Sequence, residues 1–141
     1  MQPENVEAFM NKFEEVVSST ITAEQLIQQI QIDVELRLDQ IESKFFRILN
    51  QFSPFGPENM APVFLTKNVY VCGTPALVGQ NHIKMTVMQP GSAMFDCIAF
   101  GQGEQLSQIK KDEPFNICYA IEENIWRDKR SIQLNIKGIR F

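Results

Sequence analysis

The densest chemistry in this sequence is the stretch Trp126-Arg127-Asp128-Lys129-Arg130, where the chain's one tryptophan sits among three cations. A flat ring beside positive charge suits an unpaired nucleic-acid strand, because bases stack on the ring while phosphates meet the cations. The blander reading is a tryptophan packed across the end of the fold with its arginines solvated. Further candidate contacts fall on strand-like sequence. His82 and Lys84 alternate with Ile83 and Met85, so they occupy the face opposite the apolar one. Lys67, Lys137 and Arg140 complete the candidate phosphate contacts.

No comparable constellation points to catalysis. Glu122 and Glu123 are neighbours on a strand-like run and point to opposite faces, so they cannot work as a carboxylate pair there. Asp33 and Glu35 share a face but read as solvated carboxylates. The sequence holds no glycine-rich phosphate loop, and with His82 as its one histidine no Ser/His/Asp arrangement can be argued. Cys72, Cys97 and Cys118 lack CxxC spacing and sit in apolar runs, which reads as buried, reduced thiols. The expectation is no catalytic residue and no metal ligand in this chain.

The elements that must position these residues fall into two unlike parts. From Pro3 to Val17 apolar residues recur at helical spacing, with Phe9 and Phe13 on the stripe. A short helix is expected from Thr22. Ile30, Ile32, Val34 and Leu36 then alternate with polar residues as one strand, and Asp39 can cap a helix carrying Phe45 and Phe52. A lone strand in about 50 residues makes a marginal core, so this part is expected to pack on something outside the chain. Three prolines and a glycine between Ser53 and Pro62 mark a junction. Beyond it come strand-like runs at 63–78, 82–88, 93–100, 115–121 and 132–136, with a short helix at 103–110 before the fourth. That order is the order of an OB-fold barrel. The fold class expected is α+β: a five-stranded OB-fold barrel preceded by a helical segment with one strand. In such a barrel the binding face is built by strands two and three, flanked by the loops that join strands one and two and strands four and five. The first loop is Gly79–Asn81. The second is expected at Asn124–Arg130 and carries the tryptophan and its cations. Phe95 and Tyr119, on strands, are expected in the core.

At 141 residues and a net charge of −4, the chain is ordinary in composition for a folded domain. It has no apolar run of the roughly 18 residues a membrane span needs and no signal-peptide pattern at its start. The negative charge is unevenly spread. Residues 1–52 carry four cations against nine acids, whereas residues 126–141 carry five cations against Asp128. An overall acidic balance therefore does not exclude a nucleic-acid partner; it locates the basic footprint in the last hairpin.

Several short motifs occur in order: Pro54-Phe55-Gly56 with Asn59, Pro62 and Phe64; Val78-Gly79-x-x-His82-x-Lys84; Ala99-Phe100-Gly101; Asn124-x-Trp126-Arg127; and Gln133-Leu134. Together they resemble the RecJ family of bacterial single-strand-specific exonucleases, and Ile32–Leu36 resembles the end of that family's DHH-associated domain. Glu58, Met60 and Asp128 depart from the family's preferred Gly, Pro and hairpin Gly. The resemblance implies a C-terminal portion of such a protein: residues 1–52 ending a DHH-associated domain, 53–62 the junction, and 63–141 the OB-fold domain. It implies single-stranded DNA as partner, together with the DHH and DHH-associated domains of the same protein. It also implies 5′–3′ exonuclease activity in DNA repair and recombination, in the cytoplasm and away from membranes. The family's divalent metal, Mn or Mg, belongs to the DHH domain, whose motif is absent here, so no cofactor is expected in this chain. The DNA-binding set expected is Trp126, Arg127, Lys129, Arg130, His82, Lys84, Lys67, Lys137 and Arg140. The alternative is a protein-interaction OB module that contacts another domain or a repair partner.

Overall fold

Period-two alternation after the junction produces the strands it predicts. In the computed structural model, which describes residues 5–20 and 29–141, five strands close into a barrel: β2 (Phe64–Val78), β3 (His82–Met88), β4 (Phe95–Ala99), β5 (Phe115–Trp126) and β6 (Lys129–Arg140). Antiparallel pairs join β2 to β3, β3 to β4 and β5 to β6; β4 runs parallel to β6, and β5 closes on β2. A 3-10 helix, Gly103–Gln108, connects β4 to β5. One 15-residue strand serves two neighbours because it is broken in the middle. Phe64–Val69 of β2 pairs with β5 and Tyr70–Val78 with β3, with an irregularity between Cys72 and Ala76 where Gly73 takes a φ of +71°. Such a kink is what lets a strand turn a barrel corner. The core inside is Val69, Ile83, Val87, Cys97, Ile117, Leu134 and Ile136, all essentially inaccessible. Phe95 and Tyr119 are buried with them, as expected.

The N-terminal part departs most from expectation. The short helix expected from Thr22 lies outside the described residues. The lone strand is only Val34–Glu35 (β1), and it has a partner: it pairs in parallel with Phe64 and Leu65 of β2. The Asp33 and Leu36 amides donate to the carbonyls of Val63 and Leu65, and the Asp33 carboxylate accepts from the Val63 amide at 2.8 Å. Leu36, Leu38 and Ile41 then enter the barrel core. Residues 33–42 therefore pack into the barrel. Asp39 caps no helix. The chain makes a tight 3-10 turn at Leu38–Gln40, which drops Leu38 and Ile41 inward, and α2 (Ser43–Asn50) starts only after Glu42. On α2 Phe45 packs edge-on against Phe64, but Phe52 beyond its end is exposed. Phe9 and Phe13 of α1 (Val6–Thr20) stack on each other with centroids 6.0 Å apart while both stay exposed.

Buried polar groups tie this insertion down. The Gln89 side chain accepts from the Leu38 amide at 2.8 Å and donates to the Lys67 carbonyl at 2.6 Å. Thr66 Oγ1 donates to the Leu36 carbonyl, which leaves the Tyr119 hydroxyl as donor in the 2.8 Å contact between Thr66 and Tyr119. Burial pushes the Tyr119 hydroxyl up to about 12. Burial also raises the Cys97 thiol, and the charge of Asp96 beside it raises it further. Both groups hold their protons more tightly folded than unfolded, so their contribution is complete below the unfolded pKa and is lost as pH rises. Urea titrations should accordingly show stability falling from about pH 9, the ordinary value of the thiol, through about pH 12. Tyr119→Phe should be less stable at pH 8 yet show a flatter decline; an unchanged decline would remove Tyr119 as its source.

Candidate nucleic-acid interface

The outer face of the barrel follows from the same alternation that fills the inside. Because Ile83, Met85 and Val87 point inward on β3, the residues left outside are His82, Lys84 and Thr86. On β4 Asp96 and Ile98 face out, and on β6 so do Gln133, Asn135 and Lys137. Strand register aligns them in rows: Lys84, Ile98 and Asn135 in one; Thr86, Asp96 and Gln133 in the next. Glu122 of β5 lies opposite Gln133. The two carboxylates here are engaged by neutral donors, Asp96 by Thr86 at 2.9 Å and Glu122 by Asn135 at 2.9 Å.

Past the barrel rim β5 and β6 continue as a two-stranded ribbon. The loop expected at Asn124–Arg130 is instead ladder almost to its tip, with Asn124 opposite Ser131 and Trp126 opposite Lys129. Only Arg127 and Asp128 turn, with φ of +49° and +64°. Two left-handed residues fit the twist of a two-residue hairpin, which is why the ladder can run so far. By the alternation of the ladder, Trp126 and Lys129 lie on the face of Gln133, Asn135 and Lys137. Trp126 is 69 % exposed, and the Arg127 guanidinium lies 5.8 Å from its ring centroid. Arg130 is on the other face, where its guanidinium meets Glu123 at 3.7 Å.

The nine expected contacts thus separate. His82, Lys84 and Lys137 share the barrel's outer face, and Trp126 and Lys129 extend it along the ribbon, with Arg127 at the tip. Lys67 and Arg140 do not join them. They line a groove of about 520 Å³ between Gln29–Ile32 and the β2, β5 and β6 strands, and Lys67 is already paired with Glu35 at 2.9 Å. One residue without any functional expectation stands out on the outer face: Phe100, just past β4, is 53 % exposed. Its ring meets the His82 ring near-perpendicularly at 5.1 Å, and His82 Nδ1 accepts a hydrogen bond from the Gly101 amide at 3.0 Å. Sequence parity contained the signal, since inward Phe95, Cys97 and Ala99 leave Phe100 pointing out. Among the described residues, no three His, Cys, Asp or Glu side chains converge to hold a metal ion, and no helix is long and apolar enough to cross a membrane.

Comparison with known proteins agrees with this architecture. The chain is 28 % identical over 139 residues to the single-stranded-DNA-specific exonuclease RecJ of Bacillus subtilis (strain 168), covering 97 % of this chain and 17 % of that protein. It is 27 % identical over 133 residues to the enzyme of the same name from Dickeya dadantii (strain 3937), covering 93 % and 23 %. It thus spans about a fifth of the length of these relatives. The crystal structure of RecJ in complex with Mn²⁺ from Thermus thermophilus superposes on all of the chain, and on 20 % of its own, with a TM-score of 0.71 at 17 % identity, a likeness of fold. Residues 32–138 match the family model of the RecJ OB domain, a stretch that takes in β1, the 3-10 turn and the barrel together. The chain belongs to the RecJ OB domain family.

Proposed function

We propose that this chain holds single-stranded DNA for a RecJ-like 5′–3′ exonuclease acting in DNA repair and recombination in the cytoplasm. The observation that carries the reading is the exposed Trp126, capped by Arg127 and facing the same way as Lys129, Lys84 and Lys137. Stacking and cations together suit a backbone whose bases are free, and neither reads a particular sequence. In this reading residues 1–52 carry the end of a DHH-associated domain, of which 33–42 also pack into the barrel, 63–141 form the binding domain, and cleavage takes place in a separate DHH domain that carries Mn or Mg. No residue of this chain is assigned to that metal. The exposed apolar side of α1, with Val6, Phe9, Met10, Phe13 and Val16, supports a second contact, to the other domains of the same protein.

Fluorescence anisotropy with a labelled deoxythymidine oligonucleotide tests the proposal. Weak binding at low salt is expected, with the logarithm of the affinity falling linearly against that of salt by about 0.7 per phosphate contacted. Paired DNA of equal length should bind less well, because its bases are not free to stack. No binding at the lowest salt, or a preference for the duplex, contradicts it.

A further inference from the structure

We infer that Phe100 is a nucleobase-stacking subsite and that His82 is the positioning residue that presents it, an inference that rests on the DNA-binding reading above. A single exposed phenylalanine carries little weight by itself. What distinguishes this one is how firmly the chain around it is built. The Gly101 amide donates to His82 Nδ1, Asn81 Nδ2 donates to the Gly101 carbonyl at 3.2 Å, and the Gly103 amide donates to the Asn81 carbonyl at 3.2 Å. These three bonds clasp the β2–β3 turn to the segment that follows β4. Two glycines give the segment after β4 the shape and room the clasp uses. Gly101 has a φ of +69°, and a Cβ on Gly103 would collide with the Asn81 side chain and come within 2.7 Å of Leu77. The clasp serves no core, because neither His82 nor Phe100 is buried. It fixes a ring at the surface, and a ring already fixed loses little freedom when a base stacks on it.

The same geometry revises the part expected of His82. With the Gly101 amide N–H aimed at it, Nδ1 serves as a hydrogen-bond acceptor. The imidazole thus acts as a prop for the ring rather than as a phosphate contact. Charge for the flanking phosphates comes from Lys84, two residues along β3, and from Lys137, which lies two residues beyond Asn135 as Phe100 lies two beyond Ile98. Along β6 the face runs from Lys129, opposite Trp126, to Lys137, about 26 Å at the usual strand rise. Phe100 and Trp126 therefore stand at the two ends of one strip, which suits a strand of several nucleotides.

The test is a cycle between protein and DNA, by anisotropy at low salt. A deoxythymidine oligonucleotide of about a dozen nucleotides, within the length one such fold accommodates, is compared with an abasic oligonucleotide of the same length. Phe100→Leu keeps an apolar side chain but removes the ring face. It should bind the thymidine strand about tenfold more weakly and the abasic strand within about twofold of the parent chain. His82→Ala should reproduce that loss. His82→Asn, whose Oδ1 can take the place of Nδ1 in accepting from Gly101, should recover most of it. Melting curves matching the parent's establish that Phe100→Leu is folded. If Phe100→Leu leaves thymidine binding unchanged, or weakens both strands alike, the subsite is wrong while the DNA-binding reading stands. If His82→Asn is as weak as His82→Ala, the positioning role is wrong. If the parent chain binds neither strand, the underlying reading fails and the subsite fails with it.

Discussion

Trp126→Ala is expected to weaken oligodeoxythymidine binding about tenfold, within the range of roughly 1–3 kcal/mol that a stacked base supplies. The substitution removes a mostly solvent-exposed ring at the end of a ribbon, outside the barrel core, so the fold should be nearly indifferent to it. A second change at the same hairpin separates binding from folding by their signs. Arg127 and Asp128 both adopt left-handed backbone, a conformation that costs most residues energy and that Asn-Gly adopts readily. Arg127→Asn with Asp128→Gly should therefore raise thermal stability while it lowers DNA affinity, by removing the Arg127 guanidinium from beside Trp126. The slope of affinity against salt should fall by about 0.7 for each phosphate the hairpin no longer neutralises. Anisotropy titrations at several salt concentrations, paired with melting curves, check both signs. A stabilised hairpin with unchanged affinity would show that the tip does not touch DNA.

Leu38→Ala is expected to destabilise the barrel by about 2–5 kcal/mol, the usual cost of emptying a leucine site in a packed core. Leu38 is 1 % exposed, and its amide is one of the two groups that the buried Gln89 side chain satisfies. Its loss should thus be felt on the far side of the junction, 51 residues away in sequence. Phe9→Ser on the exposed side of α1 serves as contrast, with an expected effect within about 0.5 kcal/mol. Urea unfolding of the two variants measures the difference. A Leu38→Ala chain as stable as its parent would mean that residues 33–42 are an appendage after all.

That insertion was hidden from sequence reading for a physical reason. Its strand is two residues long and pairs in parallel with a strand some thirty residues on, so alternation has too few positions to reveal it. The acidic balance of residues 1–52 and the prolines after Phe52 made a boundary look sharper than the packing is. Where alternation is long, as at Ile83–Val87 and Leu134–Ile136, inward and outward faces were legible residue by residue. The hairpin was legible in composition but not in length, because Arg127-Asp128 does not advertise a two-residue turn as Asn-Gly would. Composition left open whether Trp126 is exposed or packed across the barrel end, and the structure exposes it. The placement of Lys67 and Arg140 in a separate groove was not legible, since isolated cations carry no information about which side of a barrel they reach.

The central claim is that one continuous face, from Phe100 and Lys84 along β6 to Trp126, carries the strand. Amide chemical shifts followed during titration with a deoxythymidine oligonucleotide report this directly. Perturbations should cluster at residues 82–86, 96–102 and 124–137, and spare α1 and the groove lined by Ile30, Ile32 and Arg140. Shifts concentrated in that groove or on α1, with the β3–β4–β6 face silent, would contradict it.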